Sequence, residues 1–161
     1  LTIVAARLAV LSFAALGDVS KIADSLTNQS NPVSRAAACE GIRSLLASDP
    51  TLIPALRTSL IDERRLGEEQ ANNIIRLAIG LSAEQRTDPK AVDALFQDML
   101  NGSLPIRELA YQNLLSMLSP EDQKDERLFM FDAASDNESQ ESVLMAWRRK
   151  VDEIKKRLDK S

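Results

Sequence analysis

Apolar residues recur along most of this chain at three- and four-residue spacing, the period that places them on one face of a helix. Leu52, Leu56 and Leu60 form one such set, and Val92, Leu95, Phe96, Met99 and Leu100 form another. The breaks between sets carry helix punctuation. Asn31-Pro32, Asp49-Pro50, Asp88-Pro89 and Ser119-Pro120 each put a capping side chain directly before a proline. The cap oxygen accepts an orphan backbone N–H, and proline at the first helical position has none to waste. Gly17 and Gly102 suit the left-handed residue that closes a helix, and Ser82 with Gln85 suits a short capping box. These marks predict helices at 3–16, 19–28, 32–47, 50–61, 68–81, 89–101, 104–118 and 138–159. Pro54 must bend the fourth or delay its start, because its ring clashes with the preceding turn.

The pattern also repeats. Val33 to Leu46 (VSRAAACEGIRSLL) and Pro105 to Leu118 (PIRELAYQNLLSML) lie 72 positions apart. Arg35 falls on Arg107, Ala38 on Ala110 and Ile42 on Leu114. Halfway between them, Gln70 to Leu81 (QANNIIRLAIGL) keeps Ile74, Ile75, Ala78 and Leu81 in register. A period near 36 marks stacked supersecondary units. Ile22 to Asn28, Ile53 to Asp62 and Val92 to Asn101 each lead through a turn into one of these segments, giving three helical hairpins. A lone hairpin cannot bury its apolar face, so consecutive hairpins must stack. The first helix reads as the second half of an earlier hairpin, which makes about three and a half units.

On these residues the chain resembles the HEAT-repeat family of α-helical solenoids. The family's loose consensus has a proline in the first helix, an aspartate near the turn, and Val-Arg opening the second helix. An alanine follows three residues after the arginine and a leucine four later. Ile106-Arg107, Ala110 and Leu114 match the second-helix part, with Asn101 at the aspartate position. Pro54 and Asp62 match the first-helix part, with Glu68 at the arginine position, and Val33 and Arg35 match with a one-residue slip. The resemblance covers about residues 1–118 and implies an all-α superhelix of antiparallel helix pairs whose second helices line a concave face.

Residues 119–137 differ in character. From 119 to 141 there are eight acids against Lys124 and Arg127, while Arg148 to Lys160 carries seven bases and three acids. Leu128 to Phe131 predicts a partly extended connection laying aromatics over the end of the core. The last helix, within 138–160, has Leu144, Trp147, Val151, Ile154 and Leu158 on one seam. It reads as a cap on the final repeat, with pairing to a partner or a second copy as the alternative. The whole, 1–161, is expected to be one domain.

Composition narrows the function classes. Leucine and alanine dominate while Phe, Trp and Tyr make 4%, as closely packed helices require. A net charge of −4 disfavours a phosphate backbone as ligand. There is no histidine, and Cys39 is the one cysteine, so neither a disulfide framework nor the usual metal and general-base residues are present. No cofactor is expected. The run from Leu8 to Leu16 superficially resembles a signal peptide but is too short to span a membrane and lacks a cleavage site. A reducing, cytoplasmic setting is favoured. With Leu1 rather than a methionine at its start, the chain is expected to be a piece of something longer.

One constellation points toward binding. Glu40, Arg76 and Gln112 recur at intervals of 36, as do Cys39, Ile75 and Tyr111. Either these rows stitch neighbouring units together, or the face they form contacts a protein or peptide through Arg43, Asn73, Arg76, Tyr111 and Gln112. Tyr and Arg are the side chains that most often anchor such contacts. The expectation is therefore a non-catalytic interaction scaffold, monomeric or weakly dimeric. An enzyme or lyase subunit on the same fold and a dimerisation module working through the last helix are the alternatives.

Overall fold

A computed structural model describes residues 3–159, which fold into eight α-helices with no strand among the described residues. These are α1 (Ile3–Ala15), α2 (Val19–Leu26), α3 (Pro32–Ser48), α4 (Ile53–Thr58), α5 (Glu68–Ile79), α6 (Pro89–Asn101), α7 (Leu104–Leu115) and α8 (Glu141–Leu158). The protein is all-α.

The caps explain most of the boundaries. Asn31 accepts from Ser34 N–H at 3.0 Å and Asp88 from Lys90 N–H at 2.9 Å, each just ahead of a proline. Asp49 caps a 3₁₀ turn, Pro50–Leu52, and α4 starts only at Ile53, so Pro54 falls in the first turn, where a missing N–H costs nothing. The helix then widens into one π turn, Ser59–Glu63, and Arg65 turns left-handed at φ 57°. Gly80 closes α5 at φ 86°, a conformation that disfavours any L side chain.

One expected boundary is corrected. Gly102 has φ −75° and ψ 165°, so it is extended rather than left-handed. Glycine is needed there for space, since a Cβ would sit 2.3 Å from Ile106 Cγ2. Ser119 caps as its place before Pro120 predicts, though over a short turn. Ser119 and Asp122 cap each other reciprocally over a 3₁₀ turn, Asp122–Lys124, because the residues that follow have no apolar period.

The helices pack in consecutive pairs, α2 on α3, α4 on α5 and α6 on α7, with α1 against α3 and α8 against α6. Positions spaced by 36 lie in the core: Ala38, Ile74 and Ala110, then Ile42, Ala78 and Leu114, are all at 0% exposure, as are others such as Ile22, Leu56 and Leu109. The helices carrying them do not lie in a simple row, because α3 touches both α5 and α7. Arg35 of α3 is fully buried and donates to Glu108 of α7 at 3.0 Å. The same guanidinium donates to the Asn28 and Gln29 carbonyls at the end of α2, and it pairs with Asp132. Arg107, 72 positions on, donates to the Met99 carbonyl at the end of α6, so both arginines tie down the end of the helix before them.

Residues 116–140 fold over one end of this core. The Leu128 carbonyl accepts from Tyr111 Oη at 3.2 Å and from Trp147 Nε1 at 3.0 Å. The α8 seam is occupied, with Trp147, Val151 and Ile154 buried against the chain's own core. Asp122 receives the Ser119 N–H, Lys150 and Arg157, which fasten α8 to the 3₁₀ turn. Burial alone would raise the Asp122 pKa, but these donors outweigh it and hold the carboxyl well below the usual carboxylate range. Among the described residues no helix is long and apolar enough to cross a membrane.

Candidate functional site

The face of α3 that its neighbours leave uncovered becomes the floor of a groove. Small residues make it: Ala36 and Ala37 leave space where larger side chains would fill it, and α1 and α7 supply the walls. A depression of about 670 Å³ is lined by Ile3 and Arg7 of α1, Ala36, Cys39, Glu40 and Arg43 of α3, and Gln112 of α7. A second, of about 540 Å³, continues beside Leu11 and Ala15 of α1 and shares Glu40 and Ser44 with the first. Arg7 and Glu40 pair across the junction at 2.8 Å, both more than half exposed. They form a movable strut rather than a buried lock, of the kind worth under ~1 kcal/mol.

Arg43 is the distinctive group. Its Nη2 donates to Asn113 Oδ1 at 2.9 Å, while its Nε is buried with no acceptor. Asn113 is itself buried and donates to the Leu77 and Leu109 carbonyls at 2.9 and 3.0 Å. This chain of bonds fixes the guanidinium where α3, α5 and α7 meet. No carboxylate among the described residues pairs with it. Gln112 donates to Glu108 Oε1 at 3.0 Å, and Glu108 is the buried partner of Arg35.

Of the five residues expected to bind, Arg43 and Gln112 come together in this groove. Asn73 and Arg76 lie elsewhere. Arg76 donates to Asp98 of α6 at 2.7 Å and to Asn73, and Asn73 donates weakly to Asp98 at 3.4 Å. They stitch α5 to α6, beside a smaller depression of about 290 Å³ that Asn73 helps to line. Tyr111 is a correction. It is 6% exposed, with its ring 5.0 Å from Phe131 and 5.8 Å from Trp147, so it is core and has no face for a partner. Burial, then the Glu108 charge, drives its hydroxyl pKa upward. The rungs Glu40, Arg76 and Gln112 are not bonded to one another; each has its own partner.

Chemistry at Cys39 is disfavoured. It is 1% exposed, and burial followed by the nearby Glu108 charge raises its thiol well above the ordinary value, against the opposing pull of Arg43 and Arg35. Among the described residues no cluster of three or more His, Cys, Asp or Glu has the arrangement of a metal site. Sequence reasoning missed Arg7, whose signal was its isolation as the one charge in the first seventeen residues. It also missed Asn113, which nothing in the pattern marks. No family model, curated protein or solved structure matches the chain.

Proposed function

We propose that the chain is a HEAT-like assembly of helix pairs that acts as a non-catalytic protein-interaction module, taking a segment of another protein along the α1–α3 groove. The observation that carries this is Arg43: a guanidinium held by Asn113, with no carboxylate partner among the described residues, beside an opening lined by apolar and small side chains. Such a group suits a carboxylate or carbonyl of an incoming peptide, and a charge-assisted bond there gives direction as well as affinity. Gln112 and Ser44 add polar contacts, and Ile3, Leu11 and Ala36 add apolar ones. The full burial of Ala38, Ile74 and Ala110 at a spacing of 36 supports the repeat reading.

A random-peptide display library selected against the whole chain tests the proposal. Binders are expected to combine an acidic residue with apolar ones, to shift the amide signals of Ala36, Arg43, Ser44 and Gln112, and to lose about ten- to a hundredfold in affinity on Arg43→Ala. Binders that map to other helices and ignore Arg43→Ala in a folded variant would defeat it.

A further inference from the structure

The groove carries opposite charges in its two halves. Arg43 lines the depression of about 670 Å³, and Asp49, where α3 gives way to the 3₁₀ turn, lines the adjoining one of about 540 Å³. Glu40 lines both and is taken by Arg7 at 2.8 Å, so that pair is neutral as a unit. What is left is one cation and one anion. Arg43 has no carboxylate partner among the described residues, and Asp49 has no cationic one. Asp49 Oδ1 accepts the Thr51 N–H at 3.1 Å and the Thr51 hydroxyl, while its Oδ2 has no donor among the described residues.

Between these charges the lining is short: Ala37, Gly41, Ser44 and Ser48. Six positions separate Arg43 from Asp49, about 9 Å along the axis at 1.5 Å per residue. An extended segment rises about 3.3 Å per residue and turns alternate side chains to one face. Side chains four apart therefore share a face and span about 13 Å, which covers the axial separation and the step sideways across α3. A phosphate backbone is a poorer match, because Asp49 would repel it.

We propose that the groove takes a dipolar segment: an extended stretch of another protein with an acidic side chain for Arg43 and, four residues away, a basic one for Asp49. This rests on the groove reading above and adds Asp49 to it, so that a pair of opposite charges is preferred over an acid alone.

Fluorescein-labelled peptides of alanine and leucine, blocked at both ends, are titrated against the whole chain by anisotropy. Two positions four apart hold glutamate then lysine, lysine then glutamate, glutamate then glutamine, or two glutamates. The tighter of the mixed-charge peptides should bind about three- to fivefold better than the glutamate–glutamine peptide, the worth of one partly exposed ion pair. The double glutamate should bind more weakly than either. Sodium chloride at about 0.5 M should shrink the preference, as screening requires. Asp49→Asn keeps a side-chain oxygen to cap the turn but removes the charge, so the variant should fold like the parent and lose the preference. Peptides that all weaken on Arg43→Ala, with no preference for mixed charge or one that survives Asp49→Asn, overturn the dipolar assignment and leave the groove reading standing. Binding that ignores both substitutions, or none at all at about 1 mM, takes the groove reading down as well.

Discussion

At the scale of single residues, two glycines show how close approach and backbone angle make different demands. Gly102 has an ordinary φ, but a Cβ would come within 2.3 Å of Ile106 Cγ2 and 2.7 Å of the Asp98 carbonyl oxygen. Gly67, at the start of α5, has φ −66° and nothing within 4 Å of the same atom. Gly102→Ala should therefore cost about 1–3 kcal/mol through overpacking. Gly67→Ala should change stability by less than ~0.5 kcal/mol, the small difference between glycine and alanine at a helix start. Urea denaturation of the two variants side by side checks the contrast. A sequence pattern alone assigns both glycines to helix ends, and only the path of the Ile106 side chain separates them.

At the scale of elements, α8 is held by charge at its edge as well as by its apolar seam. Asp122 joins Lys150 and Arg157 to a 3₁₀ turn, with its side chain 9% exposed. Its pKa in the folded state lies below the unfolded value of about 3.9. The stabilisation is therefore complete above about pH 5 and disappears as pH falls through the unfolded value toward the folded one. Asp122→Asn should cost about 2 kcal/mol at neutral pH. The gap between the urea midpoints of variant and parent should narrow steadily as pH falls below about 4. A gap independent of pH would mean that packing rather than ionisation fastens the turn. Helix positions were legible wherever an Xaa-Pro cap met an apolar period, as at Pro32 and Pro89. The last turn of α7 was not, because Leu118 continues the apolar period while the chain has already left the helix. Tyr111 was misplaced for a related reason. Its spacing from Cys39 and Ile75 is a property of the helices, whereas its burial depends on Leu128, Phe131 and Trp147 folding back over it. Of the binding residues, the arginines were visible as charges on helix faces. Which of them would find a carboxylate was not, since Asp98 reaches Arg76 and none among the described residues reaches Arg43.

At the scale of the whole molecule, the buried contact of Arg35 with Glu108 joins the first hairpin to the third. Arg35→Met should destabilise the chain by about 3–5 kcal/mol, because it strands Glu108 at 4% exposure without its cation. Arg35→Met combined with Glu108→Leu should recover a large part of that loss, an outcome checked by a double-mutant cycle in urea. Additive losses would instead place the cost in the Asn28, Gln29 and Asp132 contacts. The same bond has a consequence for how such a chain can grow. An open array lengthens by duplicating an internal unit, since each unit answers only to its neighbours. Here a fresh 36-residue hairpin inserted between α3 and α7 would prise Arg35 from Glu108, so extra length is tolerated only outside that clasp.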